Sequence, residues 1–552
     1  MLDVNMRNYF SKLILGTCLA GTFVLTGCLD ETLPTSGATE DQMNASAKAT
    51  EARMWAIPAT MNYFAVLSED HWDYGYSSIM HIRDLMTADM PVTFSNYNQY
   101  SVWERNRYQG EKYLYNQFVW TFYYQLVLST NKLIGGVNPD NANATELGYL
   151  GVGYAYRALA YLDMARMFEF LENDKTSNIN AAGNDVLNLT VPIVTDSVSE
   201  DSARNNPRAT RIQMAKFISE DLDKAEKYIK NFSADKRSTK AIPDLACVYG
   251  LRARLYMWLE DYQNAAIYAR KAIDSGIAYR PVTEEEWLNT SSGFNDMTNK
   301  AWMWGEQFAK EDNAVATGIV NWTSFMSCET TYGYAGGGGV RPMIDAKLYN
   351  SISNDDFRKL SWKAPKTSDL YGKNTYCDNT IGESLPDYAS LKFRPGSGNT
   401  TLPSVASATA YPLMRIEEMY FIEAEATAHL NPVEGRELIV DFMKNYRYSS
   451  YTTSASAYED VIDEIFKQKR VEFWGEGIIF FDYKRLNKAV DRAYPSTRTY
   501  ENNWRDDERF RTTTRPAWMN FCIVQTEKNN NSALMGFENP DPSDLYELIT
   551  VE

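Results

Sequence analysis

Apolar positions recur at helical spacing in several separated stretches of the chain. In residues 153–168, GYAYRALAYLDMARMF, the side chains of Ala155, Ala158, Leu159, Leu162 and Ala165 fall on one stripe, which predicts a packed helix. Residues 246–276 predict two amphipathic helices about a short turn at Glu260-Asp261, with Ser275-Gly276 as the stop signal. Ala253, Tyr256, Ala265 and Ala272 occupy the small and aromatic packing positions of a tetratricopeptide-like hairpin, where close-packed helix faces admit only small residues; Ala269 departs from the bulky residue such a repeat favours. Tyr411–Leu430 and Tyr458 to about Lys488 also read as helix.

Long turn-rich tracts separate these segments, over residues 173–208, 283–347, 361–410 and 495–552, all dense in Gly, Ser, Thr, Asn and Pro. Compact helical scaffolds rarely carry so much irregular chain without using it. The predicted fold is therefore mainly α: a tetratricopeptide-like scaffold of helix pairs, with large irregular loop insertions forming the ligand face.

The amino terminus reads as an address. Arg7 and Lys12 precede an apolar run from Leu13 to Leu25, too short for the roughly 20 residues that span a bilayer. The run ends at Leu25-Thr26-Gly27-Cys28, which resembles the lipobox of bacterial lipoproteins, so that Cys28 becomes the acylated first residue. Residues 1–27 are then a signal peptide and 28–46 a flexible lipidated tether, leaving 47–552 as one domain. An acidic pair, Asp30-Glu31, resembles surface-export signals of Bacteroidota lipoproteins.

Charge narrows the partners. The 552 residues carry 55 Lys plus Arg against 72 Asp plus Glu, a formal charge of −17, which repels a phosphate backbone and argues against nucleic acid. Only three His occur, and no C-x-x-C or H-E-x-x-H is present, so no metal ligand set is visible. No cofactor is implied, and whether calcium binds is left open. Cys247, Cys328, Cys377 and Cys522 cannot be paired from sequence.

Several motifs in order resemble the SusD/RagB family of surface glycan-binding lipoproteins. They are the lipobox, then Asp84-Leu85-Met86-Thr87-Ala88-Asp89, similar to a D-x-x-T-x-D stretch, then Tyr123 to Asn131 and Arg157-Ala158-x-x-Tyr161. Asp356-x-Arg358 matches a D-x-R element further on. YPLMRIEEMYFIEAEA from Tyr411 and KRVEFWGEGIIFFDYKRL from Lys469 resemble the two most specific blocks; Glu417 replaces the favoured Ala and Ile479 the favoured Arg. The resemblance implies a protein anchored by lipid at the cell surface on the outer membrane. It also implies a SusC-like TonB-dependent outer-membrane barrel as partner, through which a captured glycan is imported.

Sugar rings stack their C–H faces on aromatic rings while amides, carboxylates and Arg bond the hydroxyls. Three aromatic-rich stretches offer such a surface: Trp72 with Tyr74 and Tyr76; Phe94, Tyr97, Tyr100 and Trp103 among Asn96, Asn98 and Gln99; and Trp322, Tyr332, Tyr334 and Arg341 around the glycine quartet 336–339. The second and third occupy the places from which the family's ligand-stacking residues come. The expected ligand-binding residues are Trp72, Phe94, Tyr97, Trp103, Trp322, Tyr332, Tyr334 and Arg341. The expected function is glycan capture without catalysis; peptide capture, as in RagB-like relatives, and a helical-repeat assembly scaffold without small ligand are the alternatives.

An enzyme has no visible centre. Glu417, Glu418, Glu423, Glu425, Glu472 and Glu476 could supply an acid and a base for glycoside hydrolysis. Their spacing beside Arg415, Arg470 and Lys484 predicts ion pairs along and between helices instead. Asp196-Ser197-Val198 and Asp201-Ser202-Ala203 resemble short Bacteroidota O-glycosylation acceptors.

Overall fold

The computed structural model describes residues 47–232, 237–275 and 279–551. The expected signal segment, the acylated Cys28, the tether and the Gly276 helix stop lie outside the described residues.

Helices dominate. The amino-terminal half packs α1 (Ala47–Met61), α2 (Tyr76–Leu85), α3 (Leu114–Gly135), α4 (Ala144–Phe168) and α5 (Arg211–Ile229), followed by the hairpin α6 (Leu245–Leu259) and α7 (Tyr262–Asp274). The carboxyl-terminal half contributes α8 (Ile416–Leu430), α9 (Pro432–Tyr446), α10 (Tyr458–Glu472) and α11 (Ile479–Arg485). Among the described residues one two-stranded antiparallel ribbon, β1 (Trp302–Gln307) with β2 (Ala410–Arg415), joins the halves.

Local chemistry sets the helix starts. Asn143 and Thr210 form capping boxes with Glu146 and Gln213, and the side chains of Asp244 and Asp261 cap α6 and α7. The α6–α7 hairpin has the predicted tetratricopeptide-like character: Ala253, Ala265, Ala269 and Ala272 are all buried in it. Small residues also permit close helix crossings. A Cβ at Gly151 of α4 would lie 2.6 Å from the Ile229 backbone N, and one at Gly435 of α9 would lie 2.4 Å from Ala428 Cα of α8.

Two predicted boundaries change. Tyr411–Arg415 are strand rather than the first turns of a helix, because Pro412 disfavours the helical conformation before it and the segment pairs with β1. The expected continuous helix from Tyr458 breaks after Glu472, where Gly475 (φ +78°) and Gly477 (φ +69°) reverse the chain; a Cβ at Gly477 would also meet Met80 at 2.6 Å. Among the described residues Cys247, Cys328, Cys377 and Cys522 are free thiols.

The motif blocks of the carboxyl-terminal half meet in a buried ionic lattice. Arg358 contacts Asp356 at 2.6 Å and Glu472 at 2.8 Å, and Arg447 contacts Glu472 at 2.6 Å and Glu417 at 3.4 Å. Arg415 contacts Glu417 at 2.8 Å and Glu476 at 2.9 Å, and Lys392 contacts Glu476 at 2.7 Å. Four cations thus face four carboxylates, and Glu417 is a full member of the lattice. Burial alone would raise the Glu472 carboxyl, but Arg447, Arg415 and Arg358 hold it well below the usual carboxylate range. The early Asp84 and Asp89 join this region: Asp84 accepts from Gly477 N, and Asp89 accepts from Arg470 and from the Tyr483 hydroxyl.

Candidate ligand-binding surface

The loop after α2 and the glycine-rich loop, far apart in sequence, are joined edge to edge. Thr93 N donates to Arg341 O at 3.1 Å, Met343 N donates to Pro91 O at 2.8 Å, and Val92 bridges Pro342. Thr93 Oγ1 and Ser95 Oγ donate to the carbonyls of Gly339 and Gly338 at 2.5 and 2.6 Å. The quartet therefore presents bare carbonyls to the neighbouring loop; a Cβ at Gly336 would lie 2.0 Å from Thr330 O. The stretch around residue 72 reaches the same place, where His71 Nδ1 and the Tyr334 hydroxyl form a hydrogen bond.

Phe94 and Tyr97 stand out from this platform with 70% and 65% of their surfaces exposed. Asn96 is exposed beside them, and Asn98 fixes the loop from within: its amide donates to Glu104 at 2.7 Å while its carbonyl accepts from Tyr100 N at 2.9 Å. Tyr332 and Arg341 are half-buried at the margin. Tyr332 shares a hydrogen bond with Ser407 at 2.9 Å, and Arg341 donates to Gly336 O at 3.4 Å.

The three expected tryptophans are elsewhere. Trp72, Trp103 and Trp322 are buried, so none can stack on a ligand in this structure. Trp72 sits edge-on to Trp103 (6.0 Å) and Phe118 (5.2 Å); Trp322 packs against Phe393 (5.2 Å) and Tyr411 (5.7 Å). Indoles carry the largest apolar area of any side chain, and here they fill the core beneath the loops. Tyr334 is mostly buried as well, its ring stacked 4.7 Å from Phe325, leaving its hydroxyl to reach His71. Two residues that the sequence did not suggest border the surface: His71, and Arg505, whose guanidinium carbon lies 5.0 Å from the Phe94 ring centroid.

The clustered glutamates are occupied by cations. Glu418 binds Arg254 bidentately at 2.6 and 2.7 Å, Glu423 binds Arg270, Glu425 binds Lys469 and Arg485, and Glu472 and Glu476 belong to the lattice. Among the described residues no group of three or more His, Cys, Asp or Glu is placed to hold a metal ion, and no helix is long and apolar enough to cross a membrane.

The sequence profile described as the SusD family matches residues 308–540, which include the glycine-rich loop, the D-x-R element and the ionic lattice from Asp356 to Glu476. Over those residues the chain is similar to the SusD family. The rest of the described fold is also SusD-like. A SusD-like carbohydrate binding protein from Bacteroides vulgatus superposes with a TM-score of 0.67 over 88% of this chain and 96% of its own, at 21% identity. A SusD superfamily protein from Bacteroides thetaiotaomicron gives 0.61 over 89% and 99%, at 18% identity. A laminarin binding SusD-like protein gives 0.60 over 89% and 99%, at 15% identity. No curated protein matches the chain by sequence. At these identities the structures establish the SusD-like fold, a helix-rich architecture that carbohydrate binders share.

Proposed function

We propose that the protein is a non-catalytic glycan binder, anchored at the cell surface through Cys28, that captures an oligosaccharide and passes it to a TonB-dependent outer-membrane barrel. The observation that carries the reading is the pair of exposed rings, Phe94 and Tyr97, on a loop whose base is pinned to the Gly338 and Gly339 carbonyls. Large exposed rings cost free energy in water unless something covers them, and a pinned loop loses little entropy when a sugar does so. Asn96, Tyr332 and Arg341 supply nearby polar groups for hydroxyls. The similarity of residues 308–540 to the SusD family supports the same reading.

Each stacked ring buries about 100 Å² counting both partners, roughly 2–3 kcal/mol before ordering costs. Two rings leave affinity in about the micromolar to millimolar range, which suits capture and release. The net charge of −17 favours a neutral glycan over a polyanionic one.

Isothermal titration against a panel of neutral polysaccharides, β-glucans such as laminarin included, tests the proposal. Binding that is lost in the Phe94→Ala/Tyr97→Ala double variant is expected. Silence across the panel, or a response to peptide pools alone, would sink it; the latter result would favour the peptide-capturing alternative.

A further inference from the structure

Inside the helical scaffold, away from the exposed rings, a cleft of about 50 Å³ opens between α4, α5, α6, α8, α10 and α11. That is several times the roughly 10–15 Å³ one water requires. Leu171, Arg211 and Ile478 line it and remain partly exposed, which marks its mouth.

The cleft differs from the lattice in its charge balance. Its buried acid Glu169 uses one carboxylate oxygen to accept from Trp258 Nε1 at 2.8 Å, and the other has no hydrogen bond. Arg211 Nε approaches that oxygen to 3.3 Å without hydrogen-bond geometry. Lys484 Nζ is buried and donates only to the carbonyls of Met167 (3.0 Å) and Glu169 (2.7 Å). Arg208 spends its donors on backbone carbonyls and Asn539, and Arg515 donates to Asn487. Among the described residues none of Arg208, Lys484 and Arg515 forms an ion pair, yet their fields, together with that of Arg211, converge on Glu169 or on Lys484 beside it. Three acids, Glu169, Glu418 and Asp482, line the cleft against six Arg and Lys side chains, so positive charge is in excess there.

A further donor lies open. Arg485, whose side chain is only 8% exposed, pairs with Glu425 and Asp482, but its Nη1 is buried with no partner. A buried guanidinium N–H and an outnumbered carboxylate are costly in a medium of low polarity unless something neutralises the excess. Burial and the neighbouring cations push the Lys484 ammonium well below its ordinary range, so the site itself resists carrying all its positive charge when empty.

We propose that this cleft, lined by Arg211, Lys484 and Arg485, binds a small oxyanion of phosphate or sulfate size. The donors are Arg and Lys N–H groups, the chemistry that holds tetrahedral oxyanions, and the apolar wall of Met257, Trp258 and Phe481 strengthens each contact by excluding water. The site lies among helix pairs and would tie α4, α5 and α11 together when filled.

The test is thermal unfolding of the intact protein at pH 7 in inorganic phosphate or sulfate against chloride at equal ionic strength. A saturable rise in Tm of about 1–3 °C is expected with either oxyanion. Two variants, Arg211→Gln at the mouth and Lys484→Gln inside, should each raise the half-saturating phosphate concentration about 10-fold, so the result does not hang on one variant's folding. No difference between oxyanion and chloride would overturn the proposal, as would wild-type and both variants responding alike.

Discussion

The guanidinium of Arg505 lies over the ring of Phe94, 5.0 Å from its centroid, and covers one face of an otherwise exposed side chain. Arg505 is itself held by Asp507 at 2.9 Å and Glu508 at 3.3 Å, so the cation is a fixed backing rather than a roaming one. The opposite face of Phe94 is where the proposed glycan would stack. Single Phe94→Ala and Tyr97→Ala variants should each weaken glycan binding about 10- to 100-fold in titration, with Tm within about 1 °C of wild type. A fall in Tm equal to that of a core variant would show that these rings hold the fold instead.

The buried indoles predict the reverse pattern. Trp322→Ala removes a side chain packed on Phe393 and Tyr411 and should cost about 3–5 kcal/mol in chemical unfolding. Any folded fraction should bind glycan as the wild type does.

In the ionic lattice, Glu472 is shared by Arg358, Arg415 and Arg447. Glu472→Gln leaves buried guanidinium charge uncompensated and should cost about 3–5 kcal/mol. Under the hydrolase alternative the same substitution would abolish release of reducing ends while sparing stability, so unfolding and product assays separate the two.

Asp163 gives the acid limb of stability. Burial alone would raise its carboxyl, but Arg83 at 3.0 Å, Arg166 at 2.5 Å and the Tyr76 hydroxyl at 2.7 Å bring it down to about 2. A carboxyl lower in the folded than in the unfolded chain stabilises fully above about pH 4, and that contribution is lost as pH falls toward 2. It amounts to about 2–3 kcal/mol. Urea midpoints between pH 2.5 and 6 should therefore fall steeply for wild type and less steeply for Asp163→Asn; parallel slopes would refute the assignment.

What the sequence made legible follows from how each feature is encoded. Helical spacing marked α4 and the α6–α7 hairpin because one buried stripe repeats locally. The motif blocks also read true, since Asp356, Arg358, Arg415, Glu472 and Glu476 are five of the eight members of the lattice. Tyr411–Arg415 was missed because five buried residues before a helix share its apolar character, and Pro412 was the one local sign of a break. Trp72, Trp103 and Trp322 could not be told from Phe94 and Tyr97, because an irregular loop has no period to say which rings turn inward. Arg505 and the Glu169 cleft left no local signal: each depends on contacts between segments hundreds of residues apart.

The lattice also orders events in time. Arg358, Lys392, Arg415 and Arg447 are all made before Glu472 and Glu476, with only Asp356 and Glu417 to offset them earlier in this set. A growing chain that stops short of residue 472 carries two positive charges in this group that its interior cannot accommodate, so it has no reason to close. The polypeptide would stay open until nearly complete.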